Sequence, residues 1–237
     1  MAQFRIRQYR DEDYEVVRTL FAHGMLEHVP AVYHHFLRSW QAQLGLLVLV
    51  AVVRAAAGGW VPALGAAALA LLGAWLLVRS LAATYVQDAL GTDLRDIRAA
   101  YLRAPGSGFW VAEAGGAVVG TVAAVPAPEP AALELKRMSV RREQRGRGVA
   151  RALAREVLGF ARARGYGAVV LETSVVQVAA QRLYEGQGFR KVGAFSPSLL
   201  GRLLYFQVFR YRCELPAAPG APPAPPGRPA APPGPAQ

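Results

Sequence analysis

The sequence predicts an α/β domain, a mixed sheet with helices packed on it, interrupted near its start by a hydrophobic membrane insertion. Residues 44–78 are 35 residues with a single charge, Arg54. After Gly108, short segments with an apolar period of two alternate with segments whose apolar residues recur every three or four positions. Apolar residues are 53% of the chain, enough to bury a core, so disorder throughout is excluded.

The elements before residue 108 are predicted from short local patterns. Phe4 and Ile6 alternate with charged residues and indicate a strand over 3–9. Asp11 suits the N-cap of a following helix, whose apolar residues recur at helical spacing. After the membrane insertion, residues 85–101 show a second helical pattern.

The elements after residue 108 begin with two strand-like segments separated by Gly115-Gly116, which is a hairpin signal. Further strands and helices are predicted at 133–140, 149–164, 168–173, 176–185, 189–195 and 203–214. The resulting order is β-α-(membrane)-α-β-β-β-α-β-α-β-β.

The hydrophobic stretch is long enough to enter a bilayer. A spanning helix needs about 20 apolar residues, and Trp60–Val78 alone supplies 19. A buried pair of core helices is the alternative. Gly58 and Gly59 interrupt the stretch near its middle. If both flanks belong to one sheet they lie on one side of the membrane, so we expect a re-entrant helical hairpin rather than a single span. Arg54 argues against this, because a charge deep in the bilayer costs roughly 2.5–3.5 kcal/mol.

The predicted boundaries follow from these composition changes. Residues 1–35 hold the first strand and helix, 36–79 the membrane insertion, 80–215 the rest of the domain, and 216–237 a disordered tail. The tail contains ten prolines among its 22 residues, a composition that cannot bury a core.

Charge and cysteine content limit the classes of function. The 27 basic and 16 acidic residues give a formal charge of +11, and ten of the basic residues lie between Lys136 and Arg164. The single cysteine, Cys213, excludes an internal disulfide and a cysteine-based zinc site, so we expect no metal. We also expect no nucleic-acid partner, because the basic block coincides with a loop that suits a small anion.

This loop, residues 140–150, joins a predicted strand to a predicted helix. Gly146 and Gly148 allow close backbone approach, and a helix start directs free N–H groups and the positive dipole end at one point, as pyrophosphate binding requires. No Walker A lysine follows the glycines, and Arg151 stands where a dinucleotide fingerprint would have its third glycine. A structural turn with solvated arginines is the alternative.

The residues of this loop resemble a known family. Arg145-x-x-Gly148-x-Ala150 is similar to the acyl-CoA pyrophosphate loop of the GNAT acetyltransferases, and residues 180–189 resemble their A-x-x-L-Y-E-x-x-G-F signature. The layout and local matches at 24–30, 92–97 and 109–112 more particularly resemble the camello-like membrane N-acetyltransferases. The resemblance implies a GNAT acyl-CoA N-acyltransferase fold with acetyl-CoA as co-substrate. It also implies an endoplasmic-reticulum membrane location, which we expect to have its catalytic domain facing the cytosol.

The resemblance also implies roles for individual residues. Glu134 is the expected catalytic base, with Glu172 as substitute, and Tyr184 is the expected donor to the departing thiolate. Apart from the resemblance, we expect Arg137 to pair bidentately with a substrate carboxylate if its side chain faces the acceptor. The residues expected to hold acetyl-CoA are Met138, Val140, Arg145, Gly146, Arg147, Gly148, Val149 and Ala150. Surface positions for Glu134 and Arg137, and simple packing for Tyr184, are the alternatives.

The expected activity is acetylation of a primary amine by a membrane-anchored enzyme. The acceptor implied is the α-amino group of a small amino-acid derivative such as a cysteine S-conjugate. L-aspartate and a protein lysine are the alternatives within the family. A catalytically dead membrane scaffold is the alternative from another class. The expected partners are therefore the amine substrate and the lipid bilayer.

Overall fold

A seven-stranded mixed sheet organises the protein in a computed structural model that describes residues 4–203 and 206–216. The strands are β1 (Phe4–Gln8), β2 (Gly108–Ala114), β3 (Ala117–Pro126), β4 (Ala132–Val140), β5 (Ala168–Ser174), β6 (Arg190–Phe195) and β7 (Val208–Glu214). Their spatial order is β1-β2-β3-β4-β5-β7-β6. Only the β4–β5 pair is parallel.

Seven α-helices accompany the sheet in the described part of the chain. They are α1 (Tyr14–Leu26), α2 (Val29–Leu37), α3 (Trp40–Ala57), α4 (Trp60–Gly91), α5 (Val149–Ala163), α6 (Val178–Glu185) and α7 (Leu199–Leu203). The helix α5 is the crossover between the parallel strands β4 and β5, as that connection requires. The predicted α/β architecture is therefore confirmed.

The helices α3 and α4 form a hairpin around a two-residue turn. Gly58 adopts a left-handed conformation with φ 67°, which glycine reaches without the steric cost of a side chain. Both helices are long and apolar enough to cross a membrane, with mean hydropathies of 1.6 and 2.2. The turn lies at the predicted glycines, Gly58 and Gly59, and α4 then runs back to the sheet domain.

The helix α4 is longer than the sequence suggested. It runs unbroken for 32 residues, so the expected boundary at residue 79 falls inside it. The prediction of a separate helix over 85–101 is wrong. Its first part is the end of α4, and Arg98–Leu102 forms a short π-helical turn. No glycine or proline separates Val78 from Tyr85, so nothing breaks the helix there.

The end of α4 is attached to the domain through α1. The Arg18 guanidinium donates to the carbonyl oxygens of Leu90 and Leu94 at 2.9 and 2.6 Å. This contact satisfies carbonyl groups at and just beyond the end of the helix. Ala89, near the same end, is buried in a core with Val17 and Phe21. The apolar hairpin and the sheet are thus joined by a continuous packed helix.

The two faces of the sheet carry separate cores. One core packs α5 against β3, β4, β5 and β7, with Leu153, Val157 and Leu171 almost completely buried. The other packs α1 and the end of α4 against β2 and β3. Side chains of one strand alternate between these faces. Glu134 and Glu172 therefore project to the α1 face, opposite the α5 core.

The strands β4 and β5 separate after a short paired region. They pair only from Ala132 with Ala168 to Leu135 with Leu171. Both strands continue beyond that point, to Val140 and Ser174, without pairing to each other. The gap between their ends is a cleft in the middle of the sheet, and the functional residues surround it.

Most remaining element predictions agree with the structure to within a few residues. The last strand begins at Val208 rather than 203, because Leu199–Leu203 form α7. The disordered tail predicted from residue 216 lies, apart from Pro216, outside the described residues.

Candidate active site

The glycine-containing loop enters α5 with an open backbone. Gly146 and Gly148 have φ of 74° and 85°, in the left-handed region that favours glycine. The first backbone hydrogen bond of the helix runs from Ala152 N–H to Gly148 O at 3.0 Å. The N–H groups before Ala152 therefore point out of the helix start, where its dipole is positive. The geometry fits a pyrophosphate.

Arg145 is fixed at the edge of this loop. Its Nε donates to the carbonyl oxygen of Val140 at 3.0 Å. Its Nη2 lies 2.6 Å from Glu27 Oε2, at the junction between α1 and α2. The loop is thereby connected both to the end of β4 and to the helices on the opposite side of the cleft.

A β-bulge shapes β4 beside the cleft. Thr121 pairs with Ser139 and Ala123 with Lys136, so two residues, Arg137 and Met138, stand opposite one residue of β3. Arg137 has φ 55°, a strained conformation for a non-glycine residue. Thr121 Oγ1 donates to the Arg137 carbonyl oxygen at 3.0 Å and holds the bulge. Bulges of this kind redirect backbone groups next to functional sites.

Arg137 has a different partner from the substrate carboxylate expected for it. Its Nε and Nη2 bind the two carboxylate oxygens of Asp93 at 2.8 and 2.6 Å. Tyr101 also donates to Asp93. Burial by itself raises the pKa of Asp93, but the hydrogen bond and charge of Arg137 outweigh it and hold that pKa below its usual value. The bidentate geometry was anticipated, but the carboxylate belongs to the protein.

Tyr184 lies on the α6 side of the cleft. Its ring packs on Phe189, and its hydroxyl lies 3.6 Å from Met138 Sδ, next to the bulge. Burial raises the pKa of Tyr184, so the hydroxyl stays protonated near neutral pH and can donate a hydrogen bond. Its predicted role as a donor is compatible with this position.

The two candidate carboxylates have different surroundings. Glu134 lies 3.9 Å from Lys136 Nζ, and its side chain is 31% exposed. Glu172 lies 3.4 Å from Arg210 Nη2 and lines a mostly apolar cavity. Burial raises the pKa of Glu172, Arg210 opposes this, and the charge of Glu134 raises it further. The geometry therefore favours Glu172, the substitute candidate, over Glu134.

This cavity, which we call the acceptor pocket, has a volume of about 610 Å³. It lies between α2, α4, the end of β5 and six residues that follow in the chain, namely Phe195, Pro197, Ser198, Gly201, Phe206 and Val208. Its walls are mostly aliphatic and aromatic, and its ionisable side chains are Glu172, His28, His35 and Tyr85. A pocket of this size and composition fits a small ligand with an apolar part.

His28 was not predicted from the sequence as a site residue. It lines the acceptor pocket at the junction of α1 and α2, beside Glu27. Burial lowers the pKa of His28, and the nearby charge of Arg145 lowers it further, against the opposing effect of Glu27. A neutral imidazole can accept a proton. The sequence did not distinguish His28 from His34 and His35, which lie in the same short stretch of the chain.

The splayed strands, the glycine loop and the bulge define this protein as an acetyl-CoA-dependent N-acetyltransferase of the GNAT class. Residues 75–189 match the sequence model described as the acetyltransferase (GNAT) family. A GNAT acetyltransferase from Staphylococcus aureus has the same fold, with a TM-score of 0.54 at 16% identity, covering 90% of this chain and all of the other.

The particular family follows from more similar sequences. The chain is 41% identical over 222 residues to N-acetyltransferase 8 of Mus musculus, covering 92% of this chain and 98% of that protein. It is 43% identical over 224 residues to N-acetyltransferase family 8 member 2 of Rattus norvegicus, covering 92% and 97%. The chain belongs to the N-acetyltransferase 8 family. The resemblance to the camello-like N-acetyltransferases seen in the sequence is thus confirmed.

Proposed function

We propose that the protein is a membrane-anchored enzyme that acetylates the α-amino group of a small amino-acid derivative with an apolar side group, such as a cysteine S-conjugate. The observation that carries the proposal is the acceptor pocket. It places one carboxylate, Glu172, at the cleft and surrounds it with apolar walls. L-aspartate fits this pocket poorly, because Arg137 is already bound to Asp93 and Arg210 to Glu172.

The glycine loop and the end of β4 would together bind acetyl-CoA. The loop backbone from Gly146 to Ala150, with Arg147 and Val149 between them, would bind the pyrophosphate of acetyl-CoA, and Arg145 would border it. The backbone of Met138 and Val140 would hold the pantetheine arm at the bulge. Because β4 has no partner on its β5 side beyond Leu135, that edge is available for hydrogen bonds.

In the proposed reaction, the amine nitrogen attacks the thioester carbonyl, a C–N bond forms and the C–S bond breaks. The amine must be neutral to attack, so Glu172 accepts its proton, directly or through water. Tyr184 supplies a hydrogen bond or a proton to the departing thiolate. His28 is a second candidate base because it lines the same pocket and its pKa is lowered.

Membrane anchoring is supported by the hairpin of α3 and α4. Large apolar side chains along it are exposed, for example Leu47 at 67% and Val61 at 84%. At 1.5 Å per residue, the 18 residues of α3 are about 27 Å long, close to the roughly 30 Å of a hydrocarbon core. Arg54 stacks on Trp60 at 4.1 Å, at the closed end of the hairpin. In a hairpin that crosses the bilayer, this charge reaches the far interface.

The activity is tested by acetyl-CoA turnover of the purified, detergent-solubilised protein. Substrates are S-benzylcysteine, aspartate and a lysine peptide, and release of free CoA is measured. We expect turnover of S-benzylcysteine and a decrease of about 100-fold or more in Glu172→Gln. Faster turnover of aspartate or of the lysine peptide would show that the proposed acceptor is wrong. Failure of all three while acetyl-CoA still binds would favour the dead scaffold.

The topology is tested by labelling single cysteines introduced at Glu12, Gly59 and Arg190 in a Cys213→Ser background. We expect Glu12 and Arg190 to be labelled from the same side of sealed vesicles and Gly59 from the other. Labelling of Glu12 and Arg190 from opposite sides would refute the hairpin. The same vesicles, prepared from the endoplasmic reticulum, test whether the domain faces the cytosol.

A further inference from the structure

The acceptor pocket extends along α4 beyond the sheet domain. Its α4 wall consists of Ala74, Leu77, Val78, Leu81, Ala82 and Tyr85. The first three belong to the uncharged run that begins at Trp60, and the last three follow the charged residue Arg79. The pocket therefore lies across the boundary between the apolar stretch and the part of α4 that packs on the domain.

Aromatic residues mark the same level of the hairpin. Tyr33 of α2 packs edge-on against Trp75 of α4, with ring centroids 5.2 Å apart. The Tyr33 hydroxyl donates to the carbonyl oxygen of Leu71 at 3.1 Å. Tyrosine and tryptophan concentrate where hydrocarbon meets the polar interface of a bilayer. Ala74 and Val78, which line the pocket, lie on either side of Trp75 along the chain.

The end of the pocket beside the sheet is polar. Glu172, Thr173 and Ser174 line it at the end of β5, beside the cleft for acetyl-CoA. The wall facing α4 comes from α2, with Val32 and Phe36. The pocket thus has a polar end at the reacting groups and an apolar end that enters the proposed membrane segment.

We infer that the acceptor is an amphiphilic amine resident in the bilayer, whose amino group reaches Glu172 while its apolar chain lies between α2 and α4 and extends into lipid. This inference rests on the proposed acetylation of an amine and on the proposed membrane insertion. It identifies the acceptor class as single-chain lipid-like amines, delivered from the membrane rather than from water.

The inference makes a distinctive prediction for chain length. Burial of each methylene lowers the free energy by an amount equivalent to about fourfold in partitioning. For a bilayer-resident acceptor, kcat/KM calculated from total concentration rises with chain length, but kcat/KM calculated from membrane mole fraction is nearly constant. A chain longer than the pocket remains a substrate because its end stays in lipid. For an acceptor taken from water into a closed pocket, activity falls once the chain exceeds the pocket.

The experiment uses the full-length protein in phosphatidylcholine proteoliposomes with S-methyl-, S-butyl-, S-octyl- and S-hexadecyl-L-cysteine, and measures CoA release. We expect S-octyl and S-hexadecyl substrates to have equal kcat/KM within about threefold per membrane mole fraction. Turnover of S-methylcysteine without turnover of S-hexadecylcysteine overturns the inference and leaves the proposed activity intact. No turnover of any member, while acetyl-CoA binds, overturns the proposed acceptor as well.

Matched variants test the position of the chain. Ala74→Phe fills the membrane end of the pocket, and Ala70→Phe makes the same change one turn earlier, at an exposed residue that does not line it. We expect Ala74→Phe to lower the S-hexadecyl to S-methyl activity ratio at least tenfold and Ala70→Phe to leave it unchanged. Ala74→Leu is the smaller substitution if Ala74→Phe does not bind acetyl-CoA. Equal ratios in the Ala74 and Ala70 variants would overturn the inference.

Discussion

The ion pair between Asp93 and Arg137 should be a large contributor to the stability of the active-site bulge. It joins the segment after α4 to β4, and its side chains are 21% and 10% exposed. Asp93→Ala would leave both the Arg137 guanidinium and the Tyr101 hydroxyl without this partner. Removing one member of a buried pair costs about 3–5 kcal/mol. Because Asp93 keeps some exposure, we expect the lower end, about 3 kcal/mol.

A matched control is available in the pair between Asp11 and Arg98. Its Arg98 Nη2 and Asp11 Oδ2 are 2.6 Å apart, but the side chains are 47% and 63% exposed. Exposed pairs contribute about 0–1 kcal/mol. Asp11→Ala removes the same kind of contact without burying an uncompensated charge. The difference between the two variants isolates the effect of burial.

The assay is thermal unfolding in detergent, with acetyl-CoA KM measured in parallel. At about 2–4 °C per kcal/mol for a chain of this size, Asp93→Ala should lower Tm by about 6–12 °C, and Asp11→Ala by at most about 4 °C. Asp93 has a lowered pKa in the folded protein, so its stabilisation is complete above the unfolded pKa and is lost as pH falls through the folded pKa. The Tm difference should shrink below about pH 4. Equal Tm losses in both variants at pH 7 would refute the reasoning.

Three further predictions concern the reaction itself. Gly148→Val should raise the acetyl-CoA KM roughly 5- to 150-fold, because φ 85° strains a β-branched residue by about 1–3 kcal/mol. An unchanged KM, measured from initial rates, would contradict this. Tyr184→Phe should lower kcat about tenfold or more with acetyl-CoA affinity retained, and calorimetry with stopped-flow kinetics separates the two. Glu172→Gln should remove the acid limb of the plot of kcat/KM against pH, whereas His28→Gln should retain this limb. The limb lies above the usual carboxyl pKa, because burial raises the pKa of Glu172. The opposite result would make His28 the base.

The sequence was sufficient for features that depend on neighbouring residues. The phosphate-binding loop is one of them, since two glycines and a helix start determine the local backbone wherever the segment lies. The hairpin turn at Gly58 is another, because the glycine interrupts an otherwise continuous apolar run. The order of strands and helices also followed from local periodicity. The one large error was at residues 85–101, where helical periodicity could not show that α4 continues without interruption.

Which side chains meet could be seen only in the folded protein. Arg137 and Asp93 are 44 positions apart, so the sequence could show that the arginine suited a carboxylate but not that the protein supplies it. The acceptor pocket combines α2, α4, the end of β5 and the segment before β7. His28 and Glu172 become neighbours of one cavity only because the hairpin brings α4 back against the sheet. Local backbone preferences are encoded in adjacent residues, whereas burial and charge pairing depend on distant segments that pack together on folding.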